Sequence, residues 1–117
     1  MRVLIVDDSA DMRLMVRAAV ERAGHQVIDE AADGREGVGL AAALEPDAVV
    51  LDGMMPEMTG LEALPGLRRL LPGARIVMFS SIEDAHTAAL EVGADAYITK
   101  GDGLAVLVAA LEGESPE

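Results

Sequence analysis

The sequence predicts an α/β protein in which one sheet of parallel strands is covered by helices on both faces. Short aliphatic runs without polar alternation, such as Arg2-Val3-Leu4-Ile5-Val6, are typical of strands buried on both sides. Each run is followed by a segment with helical spacing of apolar residues, and this strand-then-helix unit occurs five times. Right-handed crossovers between parallel strands place helices on both faces, so a three-layer sandwich is expected.

The strands are predicted from β-branched and aliphatic content. The second is weaker than the others because polar residues interrupt it. The predicted strands are Arg2–Val6, Val27-Ile28 with Ala31-Ala32, Ala48–Leu51, residues 76–79 and Ala96–Thr99.

The helices are predicted from apolar spacing and from residues that begin or end a helix. The apolar residues of the first helix recur at helical spacing as Met12, Met15, Val16, Ala19, Val20 and Ala23. Of these, Met12, Met15 and Val16 are expected in the core. Residues 33–36 and 59–62 resemble capping boxes that open the second and third helices, and residues 81–84 are an acidic start of the fourth. The last helix has Leu104, Leu107, Val108 and Leu111 at helical spacing.

Length and composition exclude several classes of protein. A chain of 117 residues is expected to form a single domain over 1–117, with 112–117 as a polar C-terminal tail or the start of a linker. The net charge of -12 argues against a nucleic-acid-binding surface, and the absence of Cys excludes a disulfide framework. No stretch reaches the roughly 18 apolar residues of a membrane span, so a cytoplasmic location is expected.

Polar side chains follow four of the predicted strands. Asp7 and Asp8 come after the first strand, Asp52 after the third, Ser80 after the fourth and Lys100 after the fifth. Because the carboxyl ends of parallel strands meet at one edge of a sheet, these side chains are expected to share one crevice. Three close carboxylates favour a hard cation such as Mg²⁺, and a lysine and a hydroxyl suit phosphoryl oxygens. The set is typical of sites that place phosphate on a carboxylate.

Five elements in this order resemble those of a two-component response-regulator receiver domain. The pair Asp7-Asp8 is similar to the acidic pair of that family, and Ser80, Tyr97 and Lys100 match its hydroxyl, switch aromatic and lysine. The stretch that carries its pattern of Asp, two residues, Met-Pro, three residues and Gly is Asp52-Gly53-Met54-Met55-Pro56-Glu57-Met58-Thr59-Gly60. The resemblance is collinear over nearly the whole chain. It implies a flavodoxin-like fold of five parallel strands in the order 2-1-3-4-5.

The resemblance implies a role for each of these residues. Asp52 would be the phosphoacceptor for a phosphohistidine of a sensor histidine kinase or phosphotransfer protein, with Lys100 and Ser80 on the phosphoryl oxygens. The implied ligands of a Mg²⁺ cofactor are Asp8, Asp52, the backbone carbonyl of Met54 and, through water, Asp7. The chain would catalyse only its own phosphorylation and dephosphorylation, and would not be an enzyme for an external substrate.

The resemblance also implies a switch and its partners. Ser80 would move toward the new phosphate, Tyr97 would repack inward, and the face of helix four, strand five and helix five would change shape. An output domain or a downstream protein would read that face. Arg13 and Arg17 lie one turn apart on the first helix, which contributes to kinase docking in the family, so both are candidate partner contacts. No direct contact with nucleic acid or a membrane is expected.

Two alternatives come from other classes of protein. The first is an interaction module with the same fold that acts without phosphorylation, which the complete acidic and lysine set disfavours. The second is an aspartyl-nucleophile phosphatase of the haloacid dehalogenase type. That class needs an Asp two residues after its nucleophile, where this chain has Ser9 or Met54.

Three features depart from the family pattern or have no assigned role. Gly101 follows Lys100 where many receivers have a cis-bonded Pro, and a cis bond before a non-proline residue costs about 3 kcal/mol, so a trans bond is expected. Pro65 lies within the third predicted helix and is expected to kink or break it. His25 and His86 have no second His or Cys at ligand spacing and are expected to be surface residues without function.

Overall fold

The computed structural model describes residues 1–81 and 86–113. These residues form one five-stranded sheet with the order β2-β1-β3-β4-β5, in which all neighbouring strands are parallel. The strands are β1 (Arg2–Val6), β2 (Gln26–Ala31), β3 (Ala48–Leu51), β4 (Arg75–Ser80) and β5 (Ala96–Thr99). The predicted fold class and strand order are confirmed.

Each strand of the sheet is followed by helical structure. The helices are α1 (Ala10–Arg22), α2 (Gly34–Leu44), α3 (Gly60–Leu70), α4 (His86–Glu91) and α5 (Leu104–Leu111), and a 3₁₀ turn spans Lys100–Asp102. The expected acidic start of the fourth helix at 82–84 lies outside the described residues, as do residues 114–117 of the expected tail. No helix among residues 1–81 and 86–113 is long and apolar enough to cross a membrane.

The sheet has a hydrophobic core on each face. Successive strand residues point to opposite faces, so β1 contributes Leu4 and Val6 to one core and Val3 and Ile5 to the other. The first core packs against α2, α3 and α4, and the second packs against α1 and α5. Full burial of one such aliphatic side chain contributes about 1.5–3 kcal/mol. Burial on both faces explains why β1 and β3 lack polar alternation.

The weak second strand of the sequence is one continuous edge strand with a register irregularity. Val3 pairs with Val27, but Leu4 pairs with Asp29, so Ile28 is an additional residue on β2. The register shift is a β-bulge, which locally interrupts the ladder and bends the strand. The edge position of the strand, on which Asp29 is exposed, accounts for the polar residues between its apolar ones.

Side-chain caps fix the beginnings of the first three helices. Ser9 Oγ accepts from the Met12 N–H at 3.1 Å, a cap that the sequence reading did not assign. Thr59 and Glu62 form a reciprocal capping box, as predicted. At α2 only half of the predicted box forms, because the Glu36 side chain accepts from the N–H of Ala32 instead of the N-cap residue.

Helix α3 continues through Pro65, so of the kink or break expected there the break does not occur. Residues Gly60–Leu70 form one helix with Pro65 inside it and exposed. Proline removes one helical hydrogen bond, but the capping box and the buried Leu64 and Leu67 hold both halves against the sheet. Packing therefore outweighs the local cost of the proline.

Arg68 joins the end of α3 to two other segments. Its guanidinium donates to the Gly93 carbonyl at 2.9 Å, to the Ala74 carbonyl at 2.8 Å and to Asp95 Oδ2 at 2.6 Å. Asp95 Oδ2 also accepts from the N–H of Ile76 at 2.8 Å. The pair thus connects α3, the start of β4 and the turn before β5.

Met15 lies outside the core, in contrast to the prediction from its spacing. Its side chain is 50 % exposed and lines a groove of about 560 Å³ between α1 and α5. Periodicity placed Met15 on the apolar face of α1, but Val16 and Val20 are the residues of α1 that are buried. The side chain of Met15 instead lines this groove together with residues of α5 such as Leu104 and Val108.

Candidate functional site

The carboxyl edge of the sheet brings the polar strand-end residues together. Asp7 and Asp52 immediately follow β1 and β3, whose last residues Val6 and Leu51 pair. The N–H of Asp52 donates to the Val6 carbonyl at 2.8 Å, so the ladder extends one residue into the site. Ser80 ends β4 opposite Thr99, and Lys100 follows β5.

Three carboxylates form an acidic cluster at this edge. Asp7, Asp8 and Asp52 each offer one oxygen, and these oxygens all lie within 4.8 Å of one another. Asp7 and Asp52 are buried, at 3 % and 2 % exposure, whereas Asp8 is exposed. The cluster is therefore open to solvent on the Asp8 side and closed beneath Asp52.

Lys100 lies between the two buried carboxylates. Its Nζ is 3.0 Å from Asp7 Oδ2 and 3.3 Å from Asp52 Oδ1. Burial lowers the pKa of Lys100, but the hydrogen bond to Asp7 and the charges of both carboxylates outweigh burial and raise that pKa above its ordinary value. The lysine therefore supplies a permanent positive charge inside the acidic cluster.

The carboxyl group of Asp52 is a weaker acid than an ordinary aspartate. Burial raises its pKa to about 6, and the negative charge of Asp7 adds to this effect. The hydrogen bond from the Met54 N–H and the charge of Lys100 oppose the shift. The ionised form of Asp52 therefore predominates only above about pH 6.

Short turns after the strands orient the two buried carboxylates. Asp7 Oδ1 accepts from the Ser9 N–H at 2.9 Å, and Asp52 Oδ1 accepts from the Met54 N–H at 3.2 Å. In both, an aspartate binds the backbone two residues ahead, which is an Asx turn. The side chain of Met54 is 53 % exposed, whereas Met55 is buried in the core under α3.

Two glycines leave room for the site. A Cβ on Gly53 would lie 2.5 Å from the Oγ of Ser80, which is fully buried. A Cβ on Gly60 would overlap the backbone carbonyl of Asp52. The N–H of Gly60 donates to the Gly53 carbonyl at 3.1 Å, which closes the loop of the Asp52–Gly60 motif. The glycine of this motif is required because the start of α3 approaches the backbone of Asp52.

Tyr97 lies below the site, in the core between the sheet and α4. It is 5 % exposed and packs in the same cluster as Ala89 and Ala94. It lies on β5 opposite Met78 and two residues before Thr99, the last residue of the strand that Lys100 follows. The predicted switch residue therefore lies between the site and α4.

A contact with Arg13 was not foreseen from the sequence. Its Nη1 donates to the backbone carbonyl of Asp7 at 2.7 Å, and its Nε donates to Glu30 on β2 at 3.1 Å. Arg17 binds the other oxygen of Glu30 at 2.6 Å. Apolar spacing on α1 could only indicate that these arginines face away from the core, because the partner Glu30 is distant in sequence.

The two histidines lie away from this edge. His25 is not simply a surface residue, because its side chain is 14 % exposed and bonds to the Met1 amine at 3.1 Å and to Glu112 at 2.7 Å. His86 begins α4, and its side chain is outside the described residues. The Lys100–Gly101 bond is trans, as predicted, since the described residues contain no cis peptide bond.

The donor set fits a hard divalent cation. Mg²⁺ is bound in proteins by carboxylate and carbonyl oxygens and retains several waters. The cluster of Asp7, Asp8 and Asp52 offers three carboxylates with one open side. No thiolate ligand is available, because the chain has no Cys. This edge of the sheet is therefore a typical acidic site for Mg²⁺.

Comparison with known proteins identifies the family. The sequence model of the response regulator receiver domain matches residues 3–112. The chain therefore belongs to the response regulator receiver family, whose members function in two-component signalling.

Individual relatives are of two lengths. The chain is 40 % identical over 101 residues to the chemotaxis protein CheY of Thermotoga maritima, covering 85 % of this chain and 84 % of that protein. It is 46 % identical over 110 residues to a protein-glutamate methylesterase/protein-glutamine glutaminase of Archaeoglobus fulgidus, covering 91 % of this chain but only 31 % of the relative. This chain thus spans about a third of the longer relative.

A solved structure has closely similar architecture. The chain superposes with a TM-score of 0.90 on a chain of the CheX-CheY-BeF3-Mg²⁺ complex from Borrelia burgdorferi. The two are 31 % identical, and the match covers 97 % of this chain and 87 % of that chain. The acidic site thus lies on a fold that is found in a protein crystallised in a complex with Mg²⁺.

Proposed function

We propose that this protein is a phosphorylation-activated signalling switch in which Asp52 accepts a phosphoryl group from a phosphohistidine. The observation that carries the proposal is the placement of Lys100 between Asp7 and Asp52, within an acidic cluster at the carboxyl edge of the sheet. Membership of the receiver family supports the same function. The donor would be a sensor histidine kinase or a phosphotransfer protein.

Asp52 is the proposed nucleophile because it is a buried carboxylate at the end of β3, the central strand of the sheet. As one of its oxygens bonds to phosphorus, the P–N bond of the donor's phosphohistidine breaks and the imidazole leaves with the bonding electron pair. Lys100 and the Ser80 hydroxyl would each bind a phosphoryl oxygen, which stabilises the charge of the transferring group. Attack of water on phosphorus would later release inorganic phosphate and restore the Asp52 carboxylate.

The proposed Mg²⁺ ligands are Asp8, Asp52 and the Met54 carbonyl, with Asp7 acting through water. When bound, the cation would neutralise the clustered carboxylates and the oxygens of the incoming phosphoryl group. Lys100 already neutralises part of the charge of Asp7 and Asp52. Asp8, the exposed member of the cluster, leaves one side open to both the metal and the donor.

The proposed switch is a conformational change that starts at Ser80 and reaches Tyr97. Ser80 ends β4 and pairs with Thr99, whereas Tyr97 lies two residues earlier on β5 and packs beside Ala89 of α4. A shift of Ser80 toward phosphate on Asp52 would change the space beside Tyr97 and so the α4, β5 and α5 face. An output domain or a downstream protein would bind that face.

The chain is proposed to act on itself and not on an external substrate. The esterase activity named for the Archaeoglobus fulgidus relative belongs to a protein of which this chain spans 31 %. Receiver domains are typically regulatory, and this chain matches the receiver family over residues 3–112. Turnover of a generic phosphomonoester would instead favour the phosphatase alternative.

The proposal is tested by phosphorylation with a small phosphodonor. Wild type and two variants, Asp52→Asn and Asp29→Asn, are incubated with acetyl phosphate and Mg²⁺, and intact masses are measured. Asp29 is an exposed aspartate on β2 and controls for the loss of one charge. We expect wild type and Asp29→Asn to gain one phosphoryl group and Asp52→Asn to gain none. A gain in Asp52→Asn, or no gain in wild type, would refute the proposal.

A further inference from the structure

Arg13 contacts the backbone of the acidic cluster, whereas Lys100 contacts its carboxylates. Its Nη1 donates to the carbonyl of Asp7 at 2.7 Å. That carbonyl belongs to the peptide group that joins Asp7 to Asp8. Asp7 is therefore held at its carboxylate by Lys100 and at its carbonyl by Arg13. Asp8, which is exposed, has its position set largely by this peptide.

The guanidinium of Arg13 is itself held in place. Its Nε donates to Glu30 Oε1 at 3.1 Å, and Arg17 binds Glu30 Oε2 at 2.6 Å. The Arg13 side chain is only 19 % exposed, compared with 34 % for Arg17. A planar guanidinium can bind a carboxylate and a carbonyl in fixed directions, which an ammonium cannot do. Glu30 thus orients Arg13 toward the Asp7 carbonyl.

The chain bends sharply after Asp7, and the hydrogen bonds of Asp7 show where this bend begins. Its N–H donates to the Ala31 carbonyl at 3.0 Å, which makes it the last residue paired with β2. The chain must then turn away from the sheet at Asp8 to begin α1 at Ala10. Arg13 lies in the second turn of that helix and binds back across the bend. The contact fixes the bend at the peptide that precedes Asp8.

We infer that Arg13 is a positioning residue for the metal site, which it shapes by fixing the Asp7–Asp8 peptide. This inference rests on the proposed function, because it assigns Asp8 to Mg²⁺. The role of Arg13 and Arg17 as contacts for a kinase stays a prediction. The contacts within the chain distinguish the two residues, since Arg17 shares Glu30 but does not bind the Asp7 carbonyl.

The test compares Arg13→Met with the matched control Arg17→Met. Both variants remove one arginine of α1 and one ion pair with Glu30, but only the first removes the bond to Asp7. Mg²⁺ affinity is measured by titration of backbone amide NMR signals, including that of Asp8. We expect Arg13→Met to weaken Mg²⁺ binding about 10-fold, as is typical for loss of a group that orients metal ligands. Arg17→Met should stay within about twofold of wild type.

A rate measurement separates positioning from a general loss of structure. The rate of phosphorylation by acetyl phosphate is followed by intact mass as Mg²⁺ is varied. Arg13→Met should need about 10-fold more Mg²⁺ for half its maximal rate while retaining most of that maximum. If Arg13→Met does not fold, Arg13→Lys takes its place and should show an intermediate shift, because it keeps the charge but loses the fork of donors.

The outcomes distinguish the inference from the proposed function. Equal Mg²⁺ affinity in Arg13→Met, Arg17→Met and wild type would overturn the inference, whether or not Asp52 is phosphorylated. Absence of phosphoryl uptake by wild type would overturn the proposed function, while the NMR titration would still report the effect of Arg13 on the cation site. A drop in the maximal rate with unchanged Mg²⁺ dependence would also count against positioning.

Discussion

Gly60 lies against the backbone carbonyl of Asp52, at a distance that leaves no space for a Cβ atom. The first residue of α3 thus touches the backbone of the central carboxylate. The Met78 methyl group and the Gly53 Cα would also lie within 2.9 Å of an added Cβ. The start of a helix and the position of Asp52 are therefore coupled by contact.

We expect Gly60→Ala to destabilise the protein by about 1–3 kcal/mol, because a buried site without free volume would have to shift. Gly66→Ala is the matched control on the same helix, since nothing lies within 4 Å of its added Cβ. Replacement of a helical glycine by alanine at such a site should stabilise by about 0.5–1 kcal/mol. Urea unfolding of both variants measures the difference. Equal free energies of unfolding would contradict the contact with Asp52.

Ionisation of Asp52 is expected to reduce stability in the absence of metal. Its folded pKa of about 6 lies above the unfolded value near 3.9. The unfolded state therefore loses this proton first, so the contribution of Asp52 to stability is greatest below about pH 4 and is lost as pH rises through 6. Asp52→Asn removes the charge and should stabilise the protein at pH 7.5 by about 1–3 kcal/mol.

The measurement is urea unfolding in EDTA at pH 4 and pH 7.5. The difference between Asp52→Asn and wild type should grow between these pH values, whereas Asp29→Asn, at an exposed position, should differ from wild type by less than about 0.5 kcal/mol. Added Mg²⁺ at 100 times its Kd should restore about 2.7 kcal/mol to wild type. A constant difference at all pH values would show that Asp52 is not perturbed by its surroundings.

Lys100→Met should separate metal binding from phosphoryl transfer. Removal of the ammonium, 3.0 Å from Asp7 Oδ2, leaves the cluster more negative, so Mg²⁺ should bind about tenfold more tightly. The same variant lacks the donor proposed for a phosphoryl oxygen and should be phosphorylated at least about 100-fold more slowly. Calorimetric titration and intact mass give the two values. If Lys100→Met lost Mg²⁺ affinity as well as phosphorylation rate, Lys100 would only support the fold.

Arg68→Met should be among the more damaging single changes outside the site. It removes donors to the Gly93 and Ala74 carbonyls and leaves Asp95 without its ion pair. We expect a loss of roughly 2–4 kcal/mol in urea unfolding. Arg69→Met, at the exposed neighbouring position of α3, should change stability by less than about 0.5 kcal/mol. Similar losses of stability in the two variants would show that the effect comes from the loss of one positive charge and not from the contacts of Arg68.

The fold and the members of the site were predictable because they depend on local patterns. Strands buried on both faces are continuous aliphatic runs, and a parallel sheet necessarily gathers its carboxyl ends. Asp7, Asp52, Ser80 and Lys100 could therefore be grouped from their places after strands, and the structure brings them to one edge.

The remaining details depend on contacts between distant parts of the chain. The pairing of Arg13 with Glu30 joins α1 to the edge strand β2, and no local pattern indicates that partner. The exposure of Met15 depends on how far α5 extends over α1. The local chemistry of Pro65 predicts a kink or a break in α3, but the buried Leu64 and Leu67 keep the helix continuous.

The bridge from Lys100 to Asp7 joins β5, at one border of the sheet, to β1, which lies beyond β4 and β3. During translation the aspartates leave the ribosome well before residue 100. In a nascent chain, the acidic edge consequently lacks the Lys100 ammonium until β5 has docked onto the sheet. The site is therefore complete only in the fully folded protein, and detachment of β5 would remove Lys100 from it again.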